Sequence, residues 1–308
     1  MPSALLLIQV LNGVQLGILL FLVAAGLTLV FGVMDFINLA HGVQYMLGAY
    51  VAASAGLWAG SFWVGVALTL PVSAALGLLL EALVFRHLYG RDHLSQVLAT
   101  FGVILTVDEA VRAVWGSAPL PVPEPSGLTG GVELMAGFTY PTYRLAVVAA
   151  GLGVALLLWL LVERTRVGML VRAGATHPAI VAALGVNIRR LFTAVFAFGA
   201  TLAGFAGAMA GPLFAVAPGM GDTVLVLAFV VIVIGGIGSI RGAFAGALLV
   251  GLLDTLGRAM LPDLLRLAMP APAARQTGAS LASMLVYIVM AAVLCVRSAG
   301  LFPSQRAR

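Results

Sequence analysis

Nine stretches of this chain are apolar for close to the length a helix needs to cross a bilayer, and charge is largely confined to the gaps between them. A helix of about 20 residues crosses roughly 30 Å of hydrocarbon. The runs cover about 5–31, 42–59, 62–85, 94–115, 144–162, 191–216, 222–240, 242–260 and 280–297. They predict an all-α, polytopic helical membrane protein with about 8–10 spanning helices, residues 1–308 forming a single transmembrane domain. Only 9% of the residues are charged and 62% are hydrophobic. Soluble domains carry roughly 25% charged residues, so a water-soluble core is excluded. Asp108 and Glu109 interrupt the fourth run, and Gly235–Gly242 reads as a broken or re-entrant element. The first apolar run is too long for the core of a secretory signal and no basic segment precedes it, which predicts an uncleaved first span.

The 16 cationic residues are all arginine, and the net charge is +5. They sit at the ends of apolar runs rather than in a stripe alternating with aromatics, so the charge points to membrane orientation and not to nucleic acid. Arg86 and Arg91 follow the third run, Arg164–Arg190 the fifth, and Arg297, Arg306 and Arg308 the ninth. With nine spans these groups share one side, which the positive-inside rule makes cytoplasmic, with the C-terminus. The absence of lysine excludes a P-loop, whose lysine contacts the phosphates. Any ATP hydrolysis must then come from another subunit. A single cysteine, Cys295, excludes an internal disulfide; it reads as a packed thiol. No spacing of His, Cys, Asp and Glu forms a metal site and no nucleophile–base pair is recognisable, so neither catalysis nor a cofactor is expected.

The segment 163–190 is the most cationic in the chain, with Arg164, Arg166, Arg172, Arg189 and Arg190. Within it Thr176-His177-Pro178 can start a short helix through a capping hydroxyl and a first-turn proline. Ala179, Ile180, Ala183 and Leu184 continue it, and Gly185 offers the stop. Two turns of helix are marginal in water, so this piece is expected to dock on a partner. Residues 116–142, with Pro119, Pro121, Pro123, Pro125, Glu124 and Glu133, read as an extended outer loop. Leu261–Gly278 reads as a second. Glycines and alanines four residues apart, such as Gly13 and Gly17 or Ala203, Gly207 and Gly211, suit close helix packing.

Two glycine-broken stretches, Phe31–Gly42 and Ile234–Gly242, lie in opposite halves of the chain. Such interruptions at corresponding places point to two inverted repeats with a pathway at their interface. Candidate pathway residues are Asn38, His41, Gly42, Gln44 and Tyr45 from the first stretch, and Gly236, Gly238 and Ser239 from the second. Asn38, His41 and Gln44 would either touch a passing solute or hydrogen-bond neighbouring helices. Asp108 and Arg112 are spaced for an ion pair, and Arg241 either snorkels to the interface or pairs with an acidic residue such as Asp254.

The motifs themselves carry a resemblance. Gly26-Leu27-Thr28-Leu29-Val30-Phe31-Gly32, Ile37-Asn38-Leu39-Ala40-His41-Gly42 and Tyr45-Met46-Leu47-Gly48-Ala49-Tyr50, with Ala183–Asn187 and Gly235–Ala243, resemble the inner-membrane permease of branched-chain amino acid ABC importers. The likeness runs from about residue 5 to the C-terminus and is closer to the smaller, LivH-like permease. It implies a bacterial inner-membrane importer with a second, different permease subunit, two ABC ATPase subunits and a periplasmic solute-binding protein. It also implies a cytoplasmic coupling helix, here about Thr176–Gly185. Two positions depart from the family pattern: Val43-Gln44 follows Ala-His-Gly where an acidic residue is frequent, and Arg241 stands where proline is common. Relatives carry urea, short amides or aromatic acids as well as amino acids. A proton-coupled carrier using Asp108, Glu109 or Asp254, or a channel or scaffold, remain the rival readings of the residues alone.

Overall fold

The computed structural model describes residues 3–135 and 138–302. Each of the nine apolar runs becomes one helix: α1 (Ser3–Met34), α2 (His41–Ala59), α3 (Phe62–Leu83), α4 (His93–Trp115), α5 (Thr142–Arg164), α8 (Ile188–Ala210), α9 (Met220–Gly235), α10 (Ile240–Leu265) and α11 (Ala271–Val296). Between α5 and α8 lie two short helices, α6 (Arg166–Thr176) and α7 (Pro178–Ala183). A two-stranded hairpin, β1 (Gly131–Met135) and β2 (Phe138–Pro141), is the sheet among the described residues. Six helices, α1, α3, α5, α8, α10 and α11, are long and apolar enough to cross a membrane. Helices α2 and α4 are long but not among these six, and α9, with 16 residues, is short of a full crossing.

The packing follows from small residues placed where backbones meet. In lipid there is no hydrophobic gain in bringing apolar helices together, so close approach and dispersion do the work. Helices α1 and α10 run antiparallel: a Cβ on Gly13 would lie 3.0 Å from Leu252 Cα, one on Gly17 2.8 Å from the Ala247 carbonyl, and Phe21 meets Phe244 edge-on at 5.1 Å. Helices α3 and α8 repeat this arrangement. Ser73 lies against Gly204, Gly77 against Ala200, and Phe85 against Phe196. Helices α2 and α3 form a tight hairpin closed by Gly60, whose φ of 63° places it in the left-handed region where a helix end favours glycine. Helices α9 and α10 form the matching hairpin, with Gly235 against Gly242. Exchanging α1, α2, α3 for α8, α9, α10 therefore maps one set of contacts onto the other with the chain direction reversed. The protein is built of two inverted repeats, and α1, 83% buried over its most apolar window, runs through the middle.

The repeats correspond differently from the glycine-broken stretches. The break between α1 and α2, residues 35–40, has its counterpart in residues 211–219 between α8 and α9. The turn 236–239 answers instead to Gly60-Ser61. Identity between the halves is too slight to align them, so only the packing reveals this register.

One end of the bundle gathers the arginines. Arg241 at the start of α10 pairs with Glu163 at the end of α5 (3.1 Å), Tyr89 stacks edge-on against Phe192 at the start of α8, and the Phe302 N–H reaches the Gly235 carbonyl (2.9 Å). Arg86, Arg91, Arg164–Arg190 and Arg297 thus share this end; Arg306 and Arg308 lie outside the described residues. The opposite end carries the 116–141 segment, anchored by paired main-chain hydrogen bonds between Leu120 and Val216.

Several local expectations change. Helix α10 continues through Pro262 to Leu265, so the supposed second outer loop shrinks to about residues 266–270. The outer loop is partly a β-hairpin, with Val132 opposite Tyr140. Arg112 pairs with Glu109 (3.2 Å), one residue nearer in the chain than Asp108. Asp254 is claimed by Arg258 one turn along α10 (2.9 Å), which leaves Arg241 to Glu163. Cys295 is exposed, because α11 covers α10 with only one face.

Candidate functional site

The centre of the bundle is where α2 and α9 begin. Neither helix has a side-chain cap, and their first turns abut: a Cβ on Gly42 would lie 2.5 Å from the Gly221 carbonyl oxygen. Two glycines are required here because the backbones touch. Each uncapped start presents N–H groups and the positive end of a helix dipole. Two such ends converging inside a helical membrane protein form a polar locus, to which the first turn of α9 adds the exposed carboxylate of Asp222.

Around it lies a set of buried polar groups. His41, the first residue of α2, is fully buried; its Nε2 faces the Val23 carbonyl of α1 at 3.1 Å. That partner is an acceptor, so Nε2 carries the proton and Nδ1 is left as an acceptor. The ring fits because residue 26 is glycine: a Cβ there would stand 3.0 Å from the imidazole and 2.7 Å from the Gly199 carbonyl of α8. Asn38 and Gln44 are also buried. Among the described residues the amide atoms of Asn38 and Gln44, the His41 Nδ1, and the hydroxyls of Thr28, Tyr50 and Ser73 have no hydrogen-bond partner. Leaving a buried polar atom unpaired costs about 1–3 kcal/mol. Three of these residues, Asn38, His41 and Gln44, stand just before or within the first turn of α2, and such a group where two repeats meet suits a path for a polar solute. Tyr45 packs its ring in the core and sets its carbonyl against Gly207.

The structure divides the sequence-derived pathway residues into two sets. Asn38, His41, Gly42, Gln44 and Tyr45 gather at the centre. Gly236, Gly238 and Ser239 form the α9–α10 turn at the arginine-rich end. There Gly236 (φ 106°) and Gly238 (φ 78°) hold left-handed backbone, and Ser239 caps α10 by accepting from the Gly242 N–H at 3.1 Å. The two stretches still touch, since a Cβ on Gly32 would be 2.7 Å from Gly238 Cα. The residues missing from the sequence reading are Gly221 and Thr28; the doublet Gly219-Met220-Gly221 directly before an apolar run was the available signal for the first.

At the arginine-rich end α6 and α7 project from the bundle. Thr165 caps α6 by accepting from the Gly168 N–H (3.1 Å). Thr176 is not a cap: its hydroxyl donates back to the Arg172 carbonyl (3.0 Å), His177 occupies the capping position and Pro178 opens α7. Thr176, His177, Pro178, Ala179, Ile180, Ala183, Leu184 and Gly185 are all exposed, and Gly185 turns the chain at φ 88°. Val181 points inward while Ile180 and Leu184 are 58% and 78% exposed. Apolar side chains held outward on a cationic end form a docking edge. At the opposite end a cleft of about 350 Å3 opens between the α2–α3 hairpin and the proline-rich segment, lined by Gly56, Phe62, Trp63, Pro123 and Glu124 among others.

Inverted repeats joined through two broken helices, with a projecting cationic segment at one end, define a multi-pass helical transporter subunit. The chain belongs to the family of branched-chain amino acid transport system permease components, whose model matches residues 9–294. It is 30% identical over 267 residues to the high-affinity branched-chain amino acid transport system permease protein BraD of Pseudomonas aeruginosa, covering 83% of this chain and 87% of the relative. It is likewise 30% identical to the LivH permease proteins of Salmonella typhimurium and Escherichia coli K12, in each case over 82% of this chain and 86% of the relative. No solved structure matches the chain.

Proposed function

We propose that this chain is an inner-membrane permease subunit of an ABC importer, carrying a branched-chain amino acid or a similarly small polar solute. The observation that carries the reading is the exposed Ile180–Leu184 edge on a cationic end of a permease-family bundle without a phosphate-binding lysine. The arginine-rich end is then cytoplasmic, with the C-terminus. One of two ATPase subunits docks on α6–α7, a second and different permease completes the translocator, and a periplasmic binding protein delivers solute to the opposite end. Closure of the ATPases moves α7, rocks the repeats about the α2–α9 meeting point, and exposes Asn38, His41 and Gln44 to the solute. The protein itself is not an enzyme.

The test is uptake of radiolabelled leucine into proteoliposomes holding this chain with its co-purified subunits, compared with Ile180→Asp and Leu184→Asp. The expected result is ATP-dependent accumulation that both substitutions reduce by at least about tenfold while the bundle stays folded. Accumulation that survives without ATP and collapses with a proton gradient would turn the reading to a proton-coupled carrier.

A further inference from the structure

The last turn of α3 carries a carboxylate that the transport pathway does not use. The Glu81 side chain is completely buried; one oxygen accepts from Arg86 (2.8 Å) and the other from the Tyr89 hydroxyl (3.2 Å). Arg86 is the middle residue of the short 3-10 turn Phe85–His87 and Tyr89 follows two residues after it, so the carboxylate holds the connection that leads from α3 toward α4. A buried ion pair gives little net stability over a well-packed apolar cluster, but it fixes one geometry.

What it fixes is a set of rings. Tyr89 meets Phe192 edge-on at 6.0 Å and Phe36 edge-on at 5.6 Å, while Phe85 lies 5.1 Å from Phe196 and 5.4 Å from Phe36. Phe192 and Phe196 occupy the first turns of α8, directly after the projecting α6–α7 segment. Phe36 sits in the break before α2, next to Asp35, whose φ of 54° is unusual for a residue with a side chain. The following residue is held as well, the Ile37 N–H donating to Gln96 Oε1 at 3.1 Å. Packed rings run without interruption from the base of the docking segment to the backbone that positions Asn38 and His41.

We propose that Glu81 is the positioning residue of a relay that transmits movement of α6–α7 and α8 to the α1–α2 break, through Tyr89 and Phe85 onto Phe36. Interlocked rings are nearly incompressible, so a shift of α8 at Phe192 displaces Phe36 and with it the strained turn at Asp35. Without the carboxylate the same rings remain packed but Tyr89 loses its fixed attachment, and motion of α8 dissipates in rotation of the side chain. This rests on the importer reading, and it assigns the coupling to a place inside the subunit.

The test uses the full assembly in membranes, with Cys295→Ser removing the native thiol and Leu39→Cys reporting on the break by maleimide labelling. In that background ATP should change the labelling rate by at least about fivefold. Tyr89→Phe, which keeps every ring, and Glu81→Gln should reduce the ATP effect to less than about twofold while ATP hydrolysis by the assembled complex continues; Glu81→Asp should recover part of it. An ATP effect of undiminished size in Tyr89→Phe and Glu81→Gln overturns the relay, as does loss of labelling response in strict proportion to lost assembly. If the unsubstituted background shows no ATP effect and binds no ATPase, the importer reading falls first and the relay with it.

Discussion

The break that starts α2 and the break that starts α9 occupy equivalent places in the two repeats, but they are made of different materials. Residues 35–40 include Asp35 and Asn38, adopt a left-handed turn at a non-glycine residue, and are held by side chains: Gln96 on the Ile37 N–H and two aromatic rings on Phe36. Residues 211–219 contain no polar side chain, turn on Gly219, and are held by main-chain hydrogen bonds between Leu120 and Val216. One half-helix is anchored through groups that can exchange partners, the other through a fixed backbone pairing with the outer loop. Repeats that fold alike thus hold their breaks by different means, and the buried unpartnered polar groups lie in the repeat whose break is held by side chains.

Substitutions can break this comparison at graded cost. The largest effect is expected at the meeting point itself. Gly42→Leu and Gly221→Leu each drive a side chain into the opposing backbone, and overpacking of this kind costs about 1–3 kcal/mol or more. Both should lower the yield of folded protein in mild detergent and its thermal midpoint; a wild-type midpoint in either would show that the half-helices do not abut. Next comes Gln96→Ala, which leaves the Ile37 N–H without its acceptor at a cost of about 1–3 kcal/mol. Leu120→Pro deletes the donor of the 2.8 Å bond to Val216 and should cost about 1 kcal/mol. The first should impair transport beyond its effect on stability and the second should not; equal transport losses would mean that the two breaks are equivalent after all.

A subtler variant separates function from folding. Asn38→Leu replaces a buried amide that has no partner among the described residues, so stability should change by less than about 1 kcal/mol while leucine uptake falls. A stable variant with full uptake would remove Asn38 from the pathway. The smallest effect is expected at Asp92, the exposed cap of α4, the helix that supplies Gln96. Its carboxylate accepts from the Ser95 hydroxyl (2.6 Å) and N–H (3.0 Å), and these bonds hold its pKa below the ordinary carboxylate value. A lowered folded pKa stabilises above the unfolded value and is lost as the pH falls through the folded one. Asp92→Ala should therefore depress the thermal midpoint slightly at pH 7, and the difference should close below about pH 4.

Much of this was legible because membrane spans announce themselves by length. The nine long helices among the described residues were placed by apolar runs alone, and the exposed α7 by a proline, a glycine and an apolar edge. Helix rotation was not legible. The partners of Arg112, Arg241 and Asp254 depend on which face each helix turns inward, and an apolar run carries no such information. The grouping of Asn38, His41 and Gln44 was legible because they break an apolar rhythm. Their separation from Gly236 and Gly238 was not, since it follows from which breaks correspond.

The position of α1 has a consequence for how the protein is made. Its glycine groove, Gly13 and Gly17, is filled by Leu252 and Ala247 of α10, about 240 residues later in the chain. At roughly 5–20 residues per second, α1 waits on the order of ten to fifty seconds for the surface that covers it. During that time a notch meant for another backbone faces lipid or the insertion machinery. A chain cut short before α10 would leave that notch permanently open, marking the unfinished protein to the cell's quality control.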